Sequence, residues 1–161
     1  RARTGVSILQ CKKALEEAGG SEDKAIEMIR RIGAAQAVKK AAREQKEGAL
    51  FLSQKENKAA MLMLNCETDF VARNPDFQKF GREFADILLN DGETAVKTHA
   101  EKTMPEIVQK LGENISLGET HLVSAPVLGS YIHTNNKIAV MGGDFAHCRP
   151  LPLIAAAALS S

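Results

Sequence analysis

The run AAMLMLNC, Ala59 to Cys66, sets apolar side chains at successive positions, so a strand built from it is apolar on both faces. Such a strand belongs in the middle of a sheet with a layer over each side, and helices are the expected cover. It follows ALFLS and the turn-like QKENK, which makes the pair an antiparallel hairpin. Asn74 and Pro75 then fit the N-cap and first position of a helix whose Phe77, Phe80, Phe84, Ile87 and Leu88 form one apolar face against the sheet. NDGETAVKTH reads as a loop or short helix, and PEIVQKLGEN as another short helix ending near Gly112. ISLGETHLV follows, and then VLGSYIHT and KIAVM pair around Asn135-Asn136 as a second hairpin. Helices interleaved with hairpins make an α+β fold, a small antiparallel sheet layered with helices.

The N-terminal part has a different period. Ile8, Cys11, Ala14, Leu15 and Ala18 recur at helical spacing, with Thr4 as N-cap and Gly19-Gly20 as the stop. Ser21, followed by Glu22 and Asp23, opens a second helix with the stripe Ala25, Ile26, Ile29 and Ile32, which Gly33 is expected to end. AAQAVKKAAREQKEG begins as a third helix and fades into a charged connector. The expected organisation is a three-helix module over residues 1–47, an α+β unit over 48–141 and a tail over 142–161. The tail's LPLIAAAALSS fits nothing before it.

Function classes narrow from the same residues. A formal net charge of +1 over 161 residues gives no global attraction for nucleic acid or anionic lipid, which favours a protein partner. Lys12, Lys13, Lys39, Lys40 and Arg43 form the basic clusters, and no aromatic residues interleave with them for base stacking, so they read as solvated helix faces. Direct nucleic-acid binding is not expected. No apolar run approaches the roughly 20 residues of a membrane span. Cys11, Cys66 and Cys148 lack zinc or disulfide spacing, which suits a reducing compartment, with bacterial cytoplasm expected and an organellar matrix the alternative. Cys11 and Cys66 read as small core residues. His99, His121, His133 and His147 show no metal-ligand spacing, and neither a G-x-S-x-G elbow nor a phosphate-cradling loop is present. The expectation is a non-enzyme without metal or cofactor.

The junction NCETDFVARN, Asn65 to Asn74, carries the sharpest question. Thr68 or Asp69 could cap backbone amides after the strand while Phe70 folds into the core. Alternatively, Asp69 and Phe70 protrude as an anion beside a rigid ring that fits a partner's pocket. The residues by themselves leave both open.

Five segments, in order, carry a resemblance: RARTGVSILQCKKALEEAGGSEDKAIEMIRRIG, KKAAREQKEG, LNCETDFVARNPDFQKF, KLGENI and VLGSYIHTNNKIAV. Together they resemble the elongation factor Ts family, guanine-nucleotide exchange factors of translation elongation factor Tu, over residues 1 to about 141. The resemblance implies a three-helix module similar to ubiquitin-associated domains, followed by the N-terminal half of an α+β core. It also implies that the module grips the nucleotide-binding domain of Tu, with Arg1, Ile8, Leu9 and Lys12 at contacting positions. The Thr-Asp-Phe turn is the intruding element, so Asp69 and Phe70 take that role, and Leu111, Gly112 and His133 fall on further contact positions. No covalent chemistry and no cofactor are implied. After Met141, GGDFAHCRPLPLIAAAALSS departs from the family pattern, where a second core half, a coiled-coil insertion and a terminal helix would follow. The alternative reading is a non-catalytic adaptor that binds a partner through the three-helix module.

Overall fold

The computed structural model describes residues 4–144 and 154–157, with Gly143, Asp144 and 154–157 given as backbone; Arg1 lies outside them. Its elements are α1 (Ile8–Glu17), α2 (Glu22–Lys40), β1 (Glu47–Lys55), β2 (Lys58–Cys66), α3 (Asp69–Ala72), α4 (Pro75–Asp91), α5 (Glu93–Leu111), β3 (Ser116–Ser124), β4 (Val127–Ile132), β5 (Ile138–Asp144) and β6 (Ile154–Ala157). The class is α+β, as the patterning required. β2 is the middle strand of the antiparallel sheet β1-β2-β3, and β4-β5-β6 forms a second sheet.

The two apolar faces of β2 serve two cores. Ala60, Leu62, Leu64 and Cys66 face Phe77, Phe84 and Leu88 of α4 and Val96, Ile107 and Val108 of α5. Ala59 and Met61, on the opposite side, pack with Leu50, Ala139 and Met141. The expected helical cover is therefore present on one face only. The other is closed by the second sheet, whose β5 supplies small and flexible apolar residues that fit between strands. α4 starts as read, with the Asn74 side chain accepting from Asp76 N at 2.8 Å and Pro75 at the first position. It lies so close to β1 that a Cβ on Gly81 would come within 2.2 Å of the Phe51 ring.

Three local expectations change. Ser7, not Thr4, caps α1 in a reciprocal capping box with Gln10, and the helix therefore turns Cys11, Ala14 and Ala18 inward beside Val6, Ala25 and Ile29. Ile8 and Leu9, the former expected on the apolar stripe, are instead 66% and 76% exposed. α2 does not stop at Gly33 but runs on to Lys40, so the described part of the N-terminal region has two helices where three were expected. Glycine in a helix interior costs about 1 kcal/mol relative to alanine. Here it permits a close approach, since a Cβ on Gly33 would lie 2.6 Å from Gln109 Oε1 and 3.2 Å from the Pro105 carbonyl of α5. Ala37, further along α2, packs against the main core.

α5 is likewise one helix of 19 residues containing Pro105, where a loop or short helix followed by a separate short helix was expected. Its buried stripe of Val96, Ala100, Ile107 and Val108 holds both halves to the same core and outweighs the backbone bond that proline removes. The second hairpin turns through Asn135 and Asn136 as expected, with Asn136 at φ 54°. Within the segment read as a divergent tail, Ile154–Ala157 pairs antiparallel with Ile138–Met141. Among the described residues, no helix is long and apolar enough to cross a membrane.

Candidate functional site

The site begins where β2 runs out. Thr68 has extended backbone, at φ −131° and ψ 155°, and its hydroxyl accepts from Val71 N at 3.4 Å, so it caps the single helical turn α3. Ala72 is buried and Val71 packs partly against the main core. With those two facing inward, the turn points Phe70 outward, and the ring is 83% exposed. Both readings of the junction thus hold in part: Thr68 caps, and Phe70 protrudes. Asp69, partly exposed beside it, pairs with Arg73 at 3.1 Å.

A second loop grips this turn from behind. Glu113 Oε2 accepts from Glu67 N and Thr68 N, both at 3.0 Å, and its Oε1 accepts from the Thr68 hydroxyl at 2.6 Å. The favour is returned by Glu67, whose Oε1 accepts from Asn114 N at 2.6 Å and lies 3.5 Å from Arg43. Gly112 makes this loop possible by ending α5 at φ 83°, a left-handed conformation that side chains resist. Its carbonyl accepts from Lys40 Nζ at 2.7 Å, and the Asn114 amide donates to Arg43 O at 2.8 Å. The end of α2, the end of α5 and the turn are consequently one polar assembly. Below it, Cys66 Sγ donates to Thr68 O at 3.2 Å. Burial, with the Glu113 carboxylate adding, pushes the Cys66 thiol up to about 12, so it stays neutral and takes no part in nucleophilic chemistry.

The β4–β5 turn approaches α3 from the other side. Asn136 Nδ2 donates to Gln78 Oε1 at 3.0 Å, and Gln78 Nε2 donates in turn to Ala72 O at 2.7 Å. Between them lies an open cleft of about 430 Å³ lined by Asp69, Arg73, Gln78 and Thr134 to Lys137. Lys137, which lines it, is paired with Glu47. His133 sits at the base of the same turn, exposed, with Nδ1 2.8 Å from the Tyr131 hydroxyl.

A family model described as elongation factor TS matches residues 67–143, a span that opens on the Glu67 side of the clasp and includes α3, Glu113 and the β4–β5 turn. Proteins named elongation factor Ts show the same likeness over more of the chain. That of Christiangramia forsetii is 42% identical over 152 residues, covering 89% of this chain and 56% of the relative. Those of Marinobacter nauticus and Deinococcus radiodurans are each 40% identical, covering 86% and 98% of this chain and 50% and 64% of the relatives. The likeness is thus to elongation factor Ts over most of this chain. The chain spans about half to two thirds of the length of these relatives.

The residues that the elongation factor Ts resemblance singles out fall into two groups. Asp69, Phe70, Leu111, Gly112 and His133 come from α3, the end of α5 and the β4–β5 hairpin, three elements that the clasp and the Gln78 bridge tie together. Leu111 is partly buried against the main core, so it supports the loop as much as it faces out. Ile8, Leu9 and Lys12 form a separate exposed patch on α1, which packs against α2. Sequence reading missed Glu67, Glu113, Asn114 and Gln78. It also took Lys40 and Arg43 for a solvated face, whereas both reach the site. The segment KLGEN helps carry the resemblance, but nothing local says what its Glu touches. Among the described residues, no group of three His, Cys, Asp or Glu side chains could hold a metal ion.

Proposed function

We propose that this chain acts in translation elongation by promoting GDP release from elongation factor Tu, with Asp69 and Phe70 as an intruding wedge. The observation that carries the reading is Phe70 itself: a large ring, 83% exposed, on a turn whose backbone is fixed by a cap and a carboxylate clasp. Exposed aromatics held rigidly near an acid lose little entropy on docking and make efficient anchors.

The chemistry required is non-covalent. A GTPase holds its diphosphate through backbone amides and a bridging magnesium ion, both sensitive to sub-ångström displacement. Phe70 pushed between helices of the nucleotide-binding domain displaces them, and Asp69 brings a negative charge towards the metal's surroundings. Metal and phosphate binding then weaken together, and GDP leaves. By linkage, GDP and the factor weaken each other's binding by the same ratio, so incoming nucleotide ejects the factor. Ile8, Leu9 and Lys12, with Arg1 beyond the described residues, supply a second grip through α1, while Leu111, Gly112 and His133 border the wedge. The organisation that goes with this function is a Tu-gripping module over residues 1–47 and a wedge-bearing unit over 48–141.

The decisive experiment is release of labelled GDP from purified elongation factor Tu, with and without the chain. Acceleration that saturates with chain concentration is expected. Binding to Tu without acceleration would instead favour an adaptor working through α1, and absence of both would overturn the proposal.

A further inference from the structure

We propose that Glu113 is the positioning residue for the wedge: it does not touch the partner, but it fixes where Asp69 and Phe70 point. The inference rests on the exchange reading above and adds a residue to it. Three donors converge on the one carboxylate, the amides of Glu67 and Thr68 at 3.0 Å and the Thr68 hydroxyl at 2.6 Å. Only an ionised carboxylate offers two acceptor oxygens and no donor, so it alone satisfies all three without conflict. The hydroxyl bond has a further effect. Because the Thr68 proton is directed to Glu113, the lone pairs of Oγ1 are left to face Val71 N, the bond that caps α3. Loss of Glu113 therefore releases two backbone amides and the rotor that closes the turn, immediately before the wedge residues.

The carboxylate is itself firmly placed. It stands between Gly112 and Asn114, and both neighbours are bonded to the end of α2 through Lys40 and Arg43. Glu67 bonds back to Asn114 N, so the two segments hold each other at two points. Displacing the α2 end shifts the loop, and the loop carries the turn with it.

Two variants and two readouts test the assignment. Glu113→Ala should lower the saturating rate of GDP release about 10- to 100-fold, the scale set by ångström misplacement of a working group. The half-saturating concentration should change much less, because the α1 patch is untouched. Glu113→Gln keeps an oxygen for the two amides but turns an NH₂ towards the hydroxyl, and should fall between Ala and the native residue. In a Phe70→Ala background, Glu113→Ala should add much less than it does alone, since only Asp69 is then left to misdirect. Separately, amide hydrogen exchange on the chain alone should show Glu67 and Thr68 losing protection in Glu113→Ala while β2 keeps its own. If the native chain fails to release GDP, the exchange proposal falls, yet the amide measurement still reports on the clasp. Native-like release by folded Glu113→Ala, a full additive loss on top of Phe70→Ala, or unchanged protection at Glu67 and Thr68 would each overturn the assignment. Should the alanine variant fail to fold, the same comparisons are read with the glutamine variant.

Discussion

Truncating Phe70 and Phe77 separates the intruding role from a packing role, because the two rings differ in almost nothing but burial. Complete burial of a phenylalanine is worth about 1.5–3 kcal/mol. Phe70 keeps 83% of its surface exposed, so about a sixth of that value, roughly 0.3–0.5 kcal/mol, is at stake in Phe70→Ala. Alanine recovers about 0.5 kcal/mol in helix propensity. The expected net change is close to zero, and the melting temperature should move by less than about 2 °C. Phe77 has no accessible surface and packs 6.1 Å from the Phe51 ring, so Phe77→Ala should cost about 3–5 kcal/mol and lower melting by about 10 °C or more. The order reverses in the GDP-release assay. A central aromatic anchor contributes about 2–4 kcal/mol, and losing even about 2 kcal/mol from the rate-limiting complex slows release roughly 30-fold. Folded Phe77→Ala should release GDP at a near-native rate. Refutation is simple: if Phe70→Ala melts like Phe77→Ala while its folded fraction exchanges normally, Phe70 belongs to the core.

Gly81→Ala should destabilise by about 1–3 kcal/mol or more, since its Cβ would fall 2.2 Å from the Phe51 ring; a native-like thermal melt would contradict the close approach of α4 to β1. Gly112→Ala should cost about 1–2 kcal/mol at φ 83° and depress GDP release beyond its effect on stability, because the loop carrying Glu113 is displaced; parallel melting and release measurements separate the two. Cys66, neutral up to a pKa of about 12, should resist iodoacetamide in the native protein at pH 8 while Cys11 is modified, as peptide mass mapping will read. The folded state favours the neutral Cys66 thiol, so its stabilisation is complete below pH 9, the ordinary value being 9.0, and drains away as pH rises towards 12. Urea unfolding of the native chain should therefore lose up to about 4 kcal/mol relative to Cys66→Ala across that window, and parallel pH profiles would contradict it.

What could be read from the sequence was what depends on near neighbours. The double-faced apolar run of β2, the Asn74-Pro75 start of α4 and the Asn135-Asn136 turn each carry their signal within a few residues. Gly33 and Pro105 misled because each is a local breaker overruled by burial: α2 and α5 stay intact where they press on one another and on the core. The cover over the second face of β2 was misassigned because an unbroken apolar run announces that both faces are buried, not what buries each. For the site, exposure of Phe70 could not be decided until Val71 and Ala72 were seen to occupy the inward positions of α3. Glu113 was invisible for another reason. It acts on Thr68 across 45 residues of chain, and a lone glutamate after a helix looks the same whether it meets water or three donors.

The continuity of α2 through Gly33 has a mechanical meaning. Its 19 residues make a strut about 28 Å long, with α1 braced along its first half and the Glu113 loop bolted to its far end. A break at Gly33 would have left α1 on a hinge, free to sample many distances from Phe70. The strut instead presets the span between Ile8 and Leu9 at one end and Phe70 at the other. On the proposed function, a partner that matches this gauge meets the second contact at once after the first, and a surface with the right pockets at the wrong spacing is turned away.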